Sequence, residues 1–295
     1  RYRRSMPSRP AIVVTGANRG IGFAVARELA TKECRVILVA RDTEAGLRAK
    51  RELSATGAEV RFVPGDLSTP DTTRIAARRI AEACPRIDVL VHNAGVWPSR
   101  LERDERGIER AFAVNHLAPF LLNHLLEDAL VRGGRVVQVS AGLYVKGKVD
   151  PERTPTGDDF HPIRTYATTK LCNLLLLERF ARRLGERGVT INAVHPGVIR
   201  TGLGDRPGLL GILLRGVKQL WKRPEQGARP VTRLALDPAL ANVTGRYFHL
   251  EEEMPLADVA KDAALAARLW TQAETLCGLG RKEHHSAPDA SIPGE

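Results

Sequence analysis

Seven short runs of β-branched and aliphatic residues alternate with longer helical patterns along this chain, and no other feature restricts its fold as strongly. The runs are 11–15 (AIVVT), 35–40 (RVILVA), 59–63 (EVRFV), 87–91 (IDVLV), 134–139 (GRVVQV), 189–193 (VTINA) and 245–250 (GRYFHL). Helical patterns at 20–32, 44–56 and 71–84 separate the first four. Strands joined through helices cross over and lie parallel. Near-continuous apolar character, rather than strict alternation, marks strands covered on both faces. The chain therefore reads as α/β: a doubly wound parallel sheet of about seven strands with helices on both faces. No internal repeat and no linker interrupts residues 10–279, which read as one domain. Residues 1–9 read as a basic N-terminal extension with a start at Met6, and the polar, proline-bearing tail 280–295 as disordered.

Composition narrows the function classes. Hydrophobic residues make up 43% of the 295 but aromatics only 5%, so aliphatic side chains must fill most of the core. The net charge of +11 suits anionic partners such as nucleotide phosphates, or reflects arginine used as an ordinary surface residue. The arginines are dispersed and not interleaved with aromatics, which argues against nucleic acid. Cys34, Cys84, Cys172 and Cys277 form no CxxC and no Cys/His cluster of zinc spacing. They read as reduced thiols in a cytoplasmic protein, with no disulfide and no metal site. No apolar run reaches the ~20 residues needed to span a bilayer, and no secretory apolar region follows the basic start.

Two segments break the rhythm. Residues 142–164 are rich in Gly, Pro and charge, and 202–224 hold the apolar centre GLLGILLRGVKQLW. Both follow strands at the end where open α/β sheets bind ligands. Three readings of 202–224 stay open: a substrate lid, an interfacial helix making peripheral membrane contact, or core. The apolar character points to a lipophilic small-molecule substrate.

The turn TGANRGIG joins the first run to the first helical pattern. Glycines at 16, 20 and 22 let backbone N–H groups approach a pyrophosphate at a helix N-terminus. Gly16, Asn18, Arg19, Gly20, Ile21 and Gly22 are the expected contacts; the alternative is a tight turn without ligand. At the end of the second strand stand Arg41 and then Asp42. Arg19 and Arg41 together suit a 2′-phosphate, favouring NADP(H) over NAD(H); the other reading gives the ribose to Asp42. Asp66, with Leu67 beside it, is placed to meet adenine or to cap the next turn. Asn93, Ala94 and Gly95 end the fourth strand where backbone can pass close to a cofactor.

TYATTK sets Tyr166 and Lys170 four apart, on one face of a helix expected over 166–184. A phenol titrates at about 10, and a nearby ammonium lowers that value, turning the phenol into an acid/base. The alternative is an ordinary surface pair.

TGxxxGIG, NAG and YxxxK in this order resemble the short-chain dehydrogenase/reductase superfamily. VNHLAPFLL (114–122), KLCNLLLLERFARRL (170–184), GVTINAVHPGVIRT (188–201), WKRPEQGA (221–228) and VTGRYF (243–248) resemble its retinol dehydrogenase-like branch. The resemblance spans roughly 10–279 and implies a Rossmann-type sheet and hydride exchange between nicotinamide and an alcohol or carbonyl. It implies Tyr166 as general acid/base, Lys170 on the nicotinamide ribose and Asn115 holding a water in a relay with Lys170. It also implies Pro196, Gly197 and Val198 along the nicotinamide and Thr201 on the carboxamide.

One departure matters. Where the family has two serines, the second catalytic, this chain has Ser140 followed by Ala141. Three readings are open: Ser140 serves through a local shift, another hydroxyl such as Tyr144 replaces it, or activity is reduced or lost. His92, His116 and His195 read as packed histidines, and Leu121, Leu122, Leu125 and Leu126 as core. The superfamily's dimers often pair this last helix and the Tyr–Lys helix, so a homodimer is compatible with the sequence. Competing with the oxidoreductase are a cofactor-binding protein with little chemistry and a basic nucleic-acid binder.

Overall fold

The structure is a computed structural model that describes residues 9–197 and 224–280. Val198, Thr201, most of the 202–224 segment, most of the N-terminal extension and nearly all of the tail lie outside the described residues.

The strands are β1 Ala11–Thr15, β2 Arg35–Ala40, β3 Val60–Pro64, β4 Ile87–His92, β5 Leu130–Val139, β6 Thr190–His195, β7 Tyr247–His249 and β8 Glu252–Met254. They form one sheet in the order β3-β2-β1-β4-β5-β6-β7-β8. Every pairing is parallel except β7 with β8. The seven apolar runs all become strands. The eighth, EEM, is exposed at the sheet's edge, and its partner pairs with it through a tight return at Leu250, which adopts φ 56°. Without a buried face β8 needs no apolar pattern, so nothing in its composition marks it.

The helices are α1 Gly20–Ala30, α2 Thr43–Ser54, α3 Pro70–Ala83, α4 Arg110–Phe112 continuing through a π turn Ala113–Leu117 into α5 Ala118–Leu125, α6 Pro162–Leu175, α7 Leu177–Gly185, α8 Pro224–Leu236 and α9 Ala263–Cys277. Thr69 and Thr72 close a reciprocal cap on α3, whose first residue is Pro70. The single helix expected over 166–184 starts earlier, at Pro162, and divides at Leu176.

Alternate residues of each strand supply two core layers. Ala11, Val13, Ile37 and Val39 face one side with Leu121, Leu171 and Leu174. Ile12, Val14, Val36 and Leu38 face the other with Val25, Leu29 and Val231. Each such valine, leucine or isoleucine contributes about 1.5–3 kcal/mol by leaving water. On the first side α9 lays Trp270 across Phe120 and Phe180, with ring centroids 5.0 and 4.7 Å away. Leu121, Leu122 and Leu126 are fully buried beneath. His92 and His116 sit in this interior, bonded to Asn123 at 2.7 Å and Asn173 at 3.0 Å. Burial lowers both imidazoles to about 4, so they are neutral at physiological pH.

β1 is flanked by β2 on one side and β4 on the other, and the helical connections leave in opposite directions. A crevice opens at the carboxyl ends of these two strands.

Candidate active site

A cavity of about 750 Å³ occupies that crevice. Gly16, Asn18, Arg19, Gly20, Ile21, Gly22, Arg41, Asp66, Leu67, Asn93, Ala94, Gly95, Ser140, Tyr166, Lys170, Pro196 and Gly197 all line it. Asn115 stands just behind its wall. Residues as far apart in the chain as Gly16 and Gly197 meet here because every crossover returns a strand's carboxyl end to the same edge.

The glycine turn is pressed against the end of β4. Gly16 and Gly20 have φ of 66° and 60°, a region open to glycine at little cost. A Cβ on Gly16 would lie 2.8 Å from Ala94 Cα, and one on Gly22 would lie 2.3 Å from Asn93 Nδ2. Asn93 Nδ2 donates to Thr15 O at 2.9 Å, and Thr15 Oγ1 accepts from the N–H groups of Asn93 and Ala94 at 3.0 and 3.1 Å. The Asn93 side chain thus locks the turn to β4. Arg19 precedes α1 without capping it through its side chain, and the first turn of α1 carries no acidic residue. Its N–H groups and positive end are left for an anion.

Arg19 and Arg41 are exposed on the cavity wall, and neither pairs with a carboxylate among the described residues. Asp42 is occupied elsewhere: its carboxylate caps α2 by accepting from Ala45 N at 2.9 Å. Asp66 accepts from Ser68 N at 3.1 Å and Ser68 Oγ at 2.9 Å, so it holds its own turn while lining the cavity. The donor set therefore fits a dinucleotide carrying an extra phosphate: backbone N–H groups at a glycine-lined helix start, then two uncommitted guanidinium groups.

At the other end, Tyr166 and Lys170 are both buried on α6. Lys170 Nζ donates to Val139 O at 3.0 Å and lies 5.8 Å from the Tyr166 ring centroid. The expected proximity exists, but the expected direction of the phenol shift does not. Burial pushes the Tyr166 phenol upward and the Lys170 ammonium down to about 8. Desolvation is the cause of both shifts, because each charged form loses water.

Trp97, which carries no motif, stacks on Tyr166 with centroids 4.5 Å apart. Its only sequence signal is its place just after the NAG tripeptide. Asn115 lies in the π turn, and π turns interrupt helices where a side chain must be re-aimed. Its Oδ1 accepts from Val96 N at 2.8 Å, and its Nδ2 donates to Val96 O at 2.9 Å and Thr169 Oγ1 at 3.0 Å. A Cβ on Gly95 would come within 3.3 Å of Asn115 Oδ1 and 3.8 Å of Lys170 Nζ, so glycine lets these groups converge.

Among the three readings of the missing second serine, the Tyr144 replacement is overturned, because Tyr144 does not line the cavity. Tyr144 is buried against Tyr247, and its hydroxyl accepts from Ala257 N at 2.9 Å. Ser140 Oγ is buried with no hydrogen-bond partner. His195 is not a core histidine as expected: it is half-buried on the cavity wall, stacked on His249 at 5.1 Å.

A family model described as short chain dehydrogenase matches residues 10–207. Human dehydrogenase/reductase SDR family member 13 is 38% identical, over 96% of this chain and 77% of that protein. Human retinol dehydrogenase 13 is 36% identical, over 91% of this chain and 84% of its own length. The crystal structure of a short chain dehydrogenase from Burkholderia cenocepacia in complex with NADP superposes with a TM-score of 0.67 at 26% identity, covering 82% of this chain and 96% of that one.

Proposed function

This chain belongs to the short-chain dehydrogenase family, in its retinol dehydrogenase-like branch, and from that premise we propose that it is an NADP(H)-dependent oxidoreductase interconverting an alcohol and a carbonyl on a lipophilic, retinoid-like molecule. The observation that carries this reading is one cavity shared by the glycine turn, Arg19 and Arg41 at one end and Tyr166 with Lys170 at the other. The names of the relatives and the NADP in a solved neighbour support it.

When bound, the nicotinamide supplies or accepts the hydride. The turn 16–22 and the start of α1 hold the pyrophosphate, and Arg19 and Arg41 grip the additional phosphate. Asp66 and Leu67 flank the adenine. Pro196 and Gly197 bound the nicotinamide end, with Val198 and Thr201 following them in the chain. Tyr166 gives its proton to the carbonyl oxygen in reduction and takes it back in oxidation. Its phenol, pushed upward by burial, is a reluctant acid/base, so Lys170 must bring positive charge to it. Held by Val139 O, the ammonium is positioned to bind the ribose and favour the phenolate. Asn115 fixes Gly95 and Val96 around Lys170. Trp97, Val96, Val114 and Leu143 give the substrate end its apolar lining.

A second reading, a cofactor-binding protein with weak catalysis, is favoured by Ala141 and by the burial of Ser140 Oγ. Titration of NADPH by fluorescence, followed by turnover with retinal and other lipophilic aldehydes and ketones, separates the two. Tyr166→Phe should abolish turnover and leave NADPH binding intact. Unchanged turnover in that variant would sink the oxidoreductase assignment.

A further inference from the structure

The family's second serine gives a hydrogen bond to the substrate oxygen, and this chain has a methyl group there. Ala141 is half-exposed, Ser140 Oγ is buried, and Tyr144 packs on Tyr247 away from the cavity lining. We propose that the imidazole of His195 supplies the missing hydrogen bond, donating from Nε2 to the substrate oxygen beside Tyr166. This rests on the oxidoreductase reading above.

Three observations carry it. First, His195 ends β6 directly beside the chain that leaves β5: Val139 pairs with Val194, and Ser140 N donates to Val194 O at 2.8 Å. Second, the ring lies against the segment that lacks the hydroxyl. A Cβ on Gly142 would fall 3.1 Å from His195 Cδ2 and 3.2 Å from its Nε2. Glycine at 142 thus makes the room that the Nε2 edge occupies, next to Ala141 on the cavity wall. Third, the ring is held. It stacks on His249 within 13° of parallel, and His195 O accepts from Leu250 N at 2.9 Å.

The tautomer follows from burial. Nδ1 is buried with no partner among the described residues. An unpartnered lone pair there costs less than an unpartnered N–H, so the single proton of the neutral ring belongs on Nε2. Burial, and the neighbouring His249, lower the ring to about 4, which keeps it neutral at pH 7. A neutral imidazole of this kind polarises a carbonyl without surrendering its proton. In reduction the carbonyl carbon gains hydride from NADPH and the oxygen gains the Tyr166 proton, leaving NADP⁺ and the alcohol. His195 keeps its own proton throughout.

The test is steady-state turnover of a lipophilic aldehyde with NADPH in wild type, His195→Ala, Ala141→Ser and the double variant, with NADPH affinity measured by fluorescence. His195→Ala should lower kcat by on the order of 10²–10³, the cost of one oxyanion donor, with NADPH affinity unchanged. Adding Ala141→Ser to it should recover most of that loss, because the hydroxyl returns to the place the imidazole served. Full activity in His195→Ala overturns the proposal. So does a loss that Ala141→Ser does not recover, or one accompanied by weaker NADPH binding, since a merely structural histidine behaves that way. Absence of turnover in the wild-type protein itself overturns the oxidoreductase reading, and this inference with it.

Discussion

The indole of Trp97 lies flat on the Tyr166 phenol, 4.5 Å between centroids and 8° from parallel. Its Nε1 donates to Pro162 O at 2.7 Å, the first residue of the helix that carries Tyr166. Stack and hydrogen bond together fix the phenol's plane relative to the end of β4. Such a stack contributes about 0.5–1.5 kcal/mol beyond area burial. Misplacing a reacting group by about 1 Å can cost roughly 10²-fold in rate. Trp97→Ala should therefore reduce kcat by about 10–10² with little change in NADPH affinity, and Trp97→Phe should lose less. Equal activity in all three proteins would show that the stack does not orient the phenol.

Arg19 and Arg41 line the cavity without carboxylate partners among the described residues, while Asp42 caps α2. Arg41→Ala should raise the Kd for NADPH by about tenfold or more, the worth of one charge-assisted hydrogen bond of about 1.5–3 kcal/mol. The Kd for NADH should not move. Arg19→Ala should act in the same direction, and both effects should shrink as salt is raised. Parallel loss of NADPH and NADH affinity would reject the 2′-phosphate role.

Asn115 joins the π turn, the Val96 backbone and Thr169 through three hydrogen bonds. Asn115→Ala strands a buried N–H and a carbonyl, each costing about 1–3 kcal/mol. Urea unfolding should show a loss of about 2–4 kcal/mol, well above a surface substitution. A change below about 0.5 kcal/mol would mean that Val96 finds other partners.

Lys170 makes a signed prediction about pH and stability in the cofactor-free protein. Its folded value is about 8, below the unfolded value near 10.4, so in that window the unfolded chain binds the extra proton. Stability from this group therefore rises with pH from about 8 to 10. Cys34, Cys84, Cys172 and Cys277 are raised by burial and act oppositely, retaining protons the unfolded chain releases. Tyr166 and Tyr247 oppose it too at still higher pH. Subtracting the unfolding free energies of Lys170→Met from those of wild type removes these shared contributions. The difference should shift toward wild type by on the order of 1–3 kcal/mol between pH 7.5 and 10. A flat difference would show that Lys170 keeps an ordinary affinity for its proton.

Sheet, glycine turn and Tyr–Lys pair were legible because each is written in neighbouring residues. AIVVT and RVILVA can bury both faces only in a parallel sheet, and β1 and β2 span the expected residues. Gly16 and Gly22 are demanded by backbone approach, which no other residue permits. A spacing of four puts Tyr166 and Lys170 on one face in any helix.

What stayed hidden depends on contacts between distant segments. β8 has no apolar signature because only its backbone is used. Asn115 turns inward on a π turn because Val96, 19 residues earlier, takes its hydrogen bonds. The fate of the serine hydroxyl, the packing of Tyr144 on Tyr247 and the His195 edge beside Gly142 follow from how β5, β6 and β7 lie together. The direction of the Tyr166 shift is of the same kind: spacing brings an ammonium near the phenol, but burial by the surrounding chain sets the direction. Local order is set by sterics and periodicity over a few residues, whereas burial, partner choice and protonation are properties of a packed interior that no short stretch contains.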